Sequence, residues 1–205
     1  MPPTPPSRAP SAPPQWRWQP WTDADRARPD AAWAAAHAWL ASLPDGPAAD
    51  DLPMQRDAHG RPRFAATPTS GAGVDAGWSH SGDGLLLAFA RGAVLGVDME
   101  LERPRPNALA IARRHFAPAE VAWLEAQPAD GPAFLRLWCA KEAVLKAHGR
   151  GLAFGLHRLA FAERDGALVL ADADAALGDP AAWSLREFVP HPGYRAALAW
   201  RAAAR

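Results

Sequence analysis

The chain has 205 residues, 49% of them apolar, with 22 basic and 22 acidic side chains; a packed globule of one large or two small domains is expected, and no global field favours nucleic acid or an anionic membrane. The single cysteine, Cys139, excludes an intrachain disulfide and a thiolate zinc cluster, and without an apolar leader or a run of about 18 apolar residues the expectation is a cytoplasmic protein in a reducing compartment.

Proline fills seven of the first 14 positions, so residues 1–15 read as a disordered or polyproline arm. Trp16, Trp18 and Trp21 need cover, and order is expected to begin there. Thr22 or Asp23 can cap a helix carrying Trp33, His37 and Leu40 on one face and ending near Pro44. Residues 44–77, rich in Pro, Gly, Asp and Thr, predict loops with one or two short strands. Two apolar runs, 85–90 and 93–97, flank Arg91-Gly92 and predict a hairpin whose second strand enters Asp98 and Glu100. Arg103-Pro104-Arg105-Pro106 breaks the chain, and Asn107 can cap a helix over Ala108, Ile111, Ala112 and His115. Pro118 suits a first helical turn, with Val121 and Leu124 following. A longer helix from about Gly131 to His148 places Phe134, Leu137, Trp138 and Leu145 on one stripe, with Gly149 as its stop. Strands are expected near 158–163, 167–171, 183–189 and 195–200, which gives a helix followed by strands twice over.

Chemistry concentrates in few places. Asp98 and Glu100 alternate about Met99, so their carboxylates share one face of a strand; they suit Mg²⁺, or they form a solvated turn. Glu142 and Lys146 are four apart on the long helix with Trp138 one turn earlier, which is either a surface ion pair or a functional one. The chain has twenty Arg and two Lys, and both lysines, Lys141 and Lys146, lie in one six-residue stretch. A compact ammonium can release a proton where a guanidinium cannot, so their placement points to a role. Ser79-His80-Ser81-Gly82, read as a turn ahead of the hairpin, offers hydroxyls and an imidazole to a phosphate. Arg56 and Arg61 flank His59-Gly60 and can grip phosphate bidentately. GxxxxGK, HExxH and GxGxxG are absent, which removes support from P-loop, zincin and Rossmann chemistry.

Taken in order, Ser79-His80-Ser81, Gly96-Val97-Asp98-Met99-Glu100 and Trp138-Cys139-Ala140-Lys141-Glu142-Ala143-Val144-Leu145-Lys146 resemble the motifs of the surfactin-type 4'-phosphopantetheinyl transferases. Gly60-Arg61-Pro62 is similar to a short turn of that family, and the resemblance runs from about Arg56 to Tyr194. It implies an α+β pseudo-dimer of two similar halves, here 16–97 and 98–205, each a helix on a small antiparallel sheet, with the active site in the cleft between them. It implies transfer of the phosphopantetheine arm of coenzyme A to a serine of an apo acyl, peptidyl or aryl carrier protein by a monomer, with release of adenosine 3',5'-bisphosphate. Asp98, Glu100 and Glu142 would then ligate Mg²⁺, Glu142 would take the serine proton, and Lys146 would serve the leaving group. Arg56, Arg61, Ser79, His80 and Lys141 would line the coenzyme A pocket, with Arg26 and Arg28 as further candidates for the nucleotide. Gly77-Trp78 departs from the family's Asn and aliphatic residue ahead of S-H-S. Carrier docking is expected on an apolar patch around Phe116, Val121 and Trp123. The competing readings are a catalytically silent coenzyme A-binding module and another Mg²⁺-dependent phosphotransfer enzyme.

Overall fold

In the computed structural model of the chain, the described residues are 13–43, 54–56, 62–64, 74–128 and 131–203. Residues 1–12 of the expected arm, the end of the first predicted helix at Pro44, and Arg61 lie outside them.

The ordered chain opens with strand β1 (Gln15–Pro20), followed by helices α1 (Asp23–Arg26) and α2 (Ala31–Ala41). Thr22 and Asp25 form a reciprocal capping box, Thr22 Oγ1 accepting from the Asp25 N–H while the Thr22 N–H donates to the Asp25 carboxylate. The single helix expected from Thr22 is therefore two. Pro29 lies in the break, where a proline ring would clash with the preceding turn of a continuous helix. Short strands β2 (Met54–Arg56) and β3 (Pro62–Phe64) pair with each other, and then come β4 (Val74–Ser81), β5 (Gly84–Arg91) and β6 (Ala93–Leu101).

The hairpin forms between different strands from those the sequence predicts. β5 pairs antiparallel with β4, Ser81 opposite Gly84, and β6 leaves the sheet to pair with β10 (Tyr194–Ala202). Burial supplies the reason. Leu85, Leu87 and Phe89 of β5 pack with Trp21, Ala36, Trp39 and Leu40, while Leu86, Ala88 and Ala90 pack with Leu95, Val97, Met99 and Leu198. Both faces of β5 are covered, so its apolar run is continuous, and both its edges are paired, with β1 on one side and β4 on the other. The same pairing makes Ser79, His80 and Ser81 strand residues of β4, where a turn was expected.

The second part of the chain holds α3 (Ala108–His115), α4 (Pro118–Glu125) and α5 (Ala133–His148), then β7 (Leu159–Arg164), β8 (Ala167–Ala173), β9 (Ser184–Phe188) and β10. Asn107 precedes α3 without a side-chain cap, Pro118 opens α4, and Gly149, at φ 98°, stops α5 in the left-handed region with its N–H on Leu145 and Lys146 carbonyls. The strands form sheets in the orders β1-β5-β4 and β6-β10-β9, with separate hairpins β2-β3 and β7-β8. The connection order of the first five strands is thus that of the second five. Residue 98, where the sequence reading divides the chain, lies inside β6. The architecture is α+β with small antiparallel sheets, and among the described residues no helix is long and apolar enough to cross a membrane.

Helix α5 is buried along most of its length, against β6 and β10 on one side and α4 and β7 on others. It comes close to β6 because residue 96 is glycine. A Cβ there would collide with the Ala143 carbonyl oxygen and stand 2.5 Å from the Ala147 nitrogen. This close approach sets Glu142 and Lys146 over the next residues of β6.

Candidate active site

β4 and β6 come from different sheets but run side by side in the same direction. Asp75 accepts from the Leu95 N–H at 2.8 Å, Ser79 donates to Asp98 Oδ1 at 2.9 Å, and Ser81 donates to Glu100 Oε2 at 2.9 Å. From the helix side, Lys146 Nζ reaches Asp98 Oδ1 at 2.7 Å and Ser79 Oγ at 3.1 Å. Three elements therefore meet at one carboxylate. Asp98 is buried, and its Oδ2 has no hydrogen-bond partner among the described residues. Glu100 is further held by Arg105 Nη2 at 2.7 Å, a partner that the chain-breaking Arg103-Pro104-Arg105-Pro106 pattern does not announce.

The electrostatics follow from crowding. Burial, Asp98 and Glu100 together push the Glu142 carboxyl up to about 7 against the opposing pull of Lys146. Burial draws the Lys146 ammonium down, yet Asp98 and Glu142 more than offset it and hold it above its ordinary value. Cys139, one turn before Glu142, is buried beside Asp98 and Glu100, and burial and both carboxylates raise its thiol well above the usual range. Asp98, Glu100 and Glu142 carry three negative charges against the two positive charges of Lys146 and Arg105, a net −1 when all are ionised. Among the described residues no three His, Cys, Asp or Glu side chains stand close enough to enclose a cation as they are now arranged.

Beside this cluster an open groove of about 210 Å³ runs between β4, β6 and the end of α5. It is lined by Ala76, Gly77, Trp78, Gly96, Val97, Lys146, Gly149 and Gly151, so four of its eight residues expose bare backbone. Lys146, with a side chain 33% exposed, joins groove to cluster.

The structure gathers Ser79, Asp98, Glu100, Glu142 and Lys146, and it does not bring Lys141 to them. Lys141 is fully buried on the far side of α5, and its ammonium donates to the carbonyls of Leu156 at 2.8 Å and Leu159 at 2.5 Å and pairs with Glu120 Oε2 at 2.7 Å. All three of its donors are used inside the protein, so the expectation that it lines a coenzyme A pocket is corrected. Burial lowers its affinity for a proton while Glu120 opposes that fall. Glu120 in turn accepts from the backbone of Ala117 and Phe161, a closed polar network that no spacing in the sequence announces. His80 is exposed on β4 between the two serines. Arg56 belongs to β2, and Arg61 falls outside the described residues. Arg26 binds the Gly82 carbonyl and Asp83 at the β4–β5 turn, and Arg28 binds Asp25, so both serve local structure. Phe116, expected on a docking patch, is core: it stacks on Phe134 at 5.7 Å, and Val121 and Trp123 pack against the same cluster.

Comparison with known proteins bears on this geometry. Residues 94–199, just over half of the chain, match the family described as the 4'-phosphopantetheinyl transferase superfamily. The chain is 37% identical over 92 residues to the 4'-phosphopantetheinyl transferase AcpT of Salmonella typhimurium, covering 44% of this chain and 46% of that one. It is 36% identical over 123 residues to the 4'-phosphopantetheinyl transferase HetI of Nostoc sp., covering 59% and 49%, and 41% identical over 80 residues to the 4'-phosphopantetheinyl transferase psf-1 of Bacillus pumilus, covering 38% and 33%. The chain thus spans half or less of the length of each of these relatives.

Proposed function

Because this chain belongs to the 4'-phosphopantetheinyl transferase superfamily, we propose that it transfers the 4'-phosphopantetheine arm of coenzyme A to a serine of an apo carrier protein and releases adenosine 3',5'-bisphosphate. The observation that carries the proposal is the assembly of Asp98, Glu100, Glu142 and Lys146 from two sheets and a helix beside an open groove. The matching strand orders support a pseudo-dimer of two halves with the reaction in the cleft where β4 meets β6. The order that the sequence predicts from Trp16 begins one residue earlier, Gln15 pairing with Phe89 in β1.

The residues present fit a hard divalent cation. The donors are all carboxylate oxygens, one of which, Asp98 Oδ2, is buried without a partner among the described residues, and burial together with acidic neighbours raises the Glu142 carboxyl. Asp98, Glu100 and Glu142 would hold Mg²⁺, which supplies charge neutralisation at the pyrophosphate of coenzyme A. The protein's own groups do the rest. The bond that forms joins the serine oxygen to the phosphorus bearing the pantetheine arm. The bond that breaks runs from that phosphorus to the bridging oxygen, which leaves on the adenosine 3',5'-bisphosphate. Glu142, the carboxylate that α5 brings to the cluster, takes the serine proton. Lys146 projects its ammonium at the junction of cluster and groove and offsets charge on the departing phosphate. His80, exposed on β4, and Arg56 serve the remaining phosphates.

Release of adenosine 3',5'-bisphosphate tests this reading. It should require coenzyme A, Mg²⁺ and an apo carrier together, and should vanish when the carrier's acceptor serine is changed to alanine. Release without any carrier would instead establish a hydrolase, and coenzyme A binding with no release in any mixture would establish a silent binding module.

A further inference from the structure

The groove beside the acidic cluster has a volume of about 210 Å³, whereas pockets that enclose a whole drug-sized ligand run to roughly 300–1,000 Å³. It therefore takes one end of a molecule as large as coenzyme A. Lys146 marks the border, its ammonium lying against Asp98 and Ser79 on the cluster side while the residue also lines the groove. Beyond it the walls change in character. Gly77, Gly96, Gly149 and Gly151 present bare backbone, and among the described lining residues Trp78 alone is aromatic. Trp78 belongs to β4, two residues before His80 and so on the same side of the strand. It is partly buried: it packs on the core cluster that holds Trp21, Trp39 and Leu40, and its ring centre stands 6.5 Å from that of Trp33 on α2. These neighbours fix the indole from behind, and what remains open borders the groove.

Resting on the transferase reading above, we infer that Trp78 is a substrate-binding residue whose indole stacks on the adenine of coenzyme A, so that this groove receives the nucleoside end of the substrate. The two ends of coenzyme A compete for the groove, and the direction of the reaction separates them. The phosphate that departs carries the adenosine, and Lys146, which offsets its charge, stands between cluster and groove. The pantetheine arm stays on the phosphorus that the acceptor serine attacks, so it remains with the cluster. Shape agrees with this order. Adenine is a flat π system whose face suits an indole, and its polar edge can meet backbone N–H and C=O groups that the glycines leave bare. The pantetheine arm is a flexible chain with no flat face to offer. Trp78 also stands where the family resemblance leads one to expect an aliphatic residue ahead of Ser79-His80-Ser81, so the stacking surface is a feature of this chain.

Calorimetry on the full chain with Mg²⁺ separates a stacking role from a structural one. Two probes are compared: adenosine 3',5'-bisphosphate, and the ribose bisphosphate that lacks the base. Trp78→Leu should weaken binding of adenosine 3',5'-bisphosphate by about tenfold, the scale of one base–aromatic stack, and leave the affinity for the abasic probe unchanged. Trp78→Phe, which keeps an aromatic face and most of the packing against the core, should retain most of the affinity for adenosine 3',5'-bisphosphate and serves if Trp78→Leu lowers the folded fraction. Equal weakening of both probes in Trp78→Leu would make the indole structural, and an unchanged affinity for adenosine 3',5'-bisphosphate would place the base elsewhere; either overturns the inference, as does a Trp78→Phe variant no better than Trp78→Leu. If the unaltered chain binds neither coenzyme A nor adenosine 3',5'-bisphosphate, the transferase reading itself fails.

Discussion

Lys141→Met tests whether the first of the two lysines belongs to the protein interior. The substitution keeps an unbranched chain of similar volume, so it opens little cavity, and it deletes three charged hydrogen bonds to Leu156, Leu159 and Glu120. Breaking a buried ion pair by removing one partner costs about 3–5 kcal/mol, because the other charge is left in a poor solvent. Glu120 is wholly buried but keeps backbone donors at 2.9 Å from Ala117 and 2.8 Å from Phe161, which places the loss near the lower end, about 3 kcal/mol. Urea denaturation followed by tryptophan fluorescence should show that loss as a lower midpoint with an unchanged slope. Adding Glu120→Gln should cost less than the sum of the two single changes, since each single change already breaks the shared pair. A loss below about 1 kcal/mol, the scale of an exposed ion pair, or strict additivity of the two changes, would refute the reasoning. Loss of coenzyme A binding in the folded variant would return Lys141 to the pocket.

The folded-state Glu142 carboxyl titrates near 7 against an ordinary 4.5, so the metal-free native chain holds a proton that the unfolded chain has released, and this contribution to stability disappears as the pH rises through 7. Glu142→Gln in EDTA should therefore melt above the unaltered chain at pH 8 and match it near pH 5; equal melting at both values would show that the carboxylates do not repel. Gly96→Ala drives a Cβ into the Ala143 carbonyl and should destabilise by about 1–3 kcal/mol or more, and a neutral result in thermal unfolding would mean that α5 moves away at little cost. Cys139, buried and with its thiol raised, should resist a disulfide reagent until the chain unfolds; rapid labelling of the native protein would contradict its placement.

Local patterns carried the sequence reading a long way. The stripe on α5, its glycine stop, the last four strands and the one-face arrangement of Asp98 and Glu100 are all short-range, and each appears within a residue or two of its expected position. Pairing was harder, because β5 is apolar on both faces and, while β4 joins it through a short turn, its other neighbour is the distant β1. The same limit hid the serine–carboxylate contacts: Ser79 and Asp98 are 19 positions apart, and only the docking of two sheets reveals them. Two lysines in one stretch looked like a common signal but have separate roles. They sit five residues apart on α5, far enough around the helix for Lys141 to point into the core while Lys146 points to the groove.

The most direct test of the account is the mass of an apo carrier protein after incubation with coenzyme A, Mg²⁺ and this chain. One phosphopantetheine arm should appear on the acceptor serine with the unaltered chain and be nearly absent with Glu142→Gln at equal folded concentration. An unmodified carrier across acyl, peptidyl and aryl types, or an equal yield from Glu142→Gln, would contradict it.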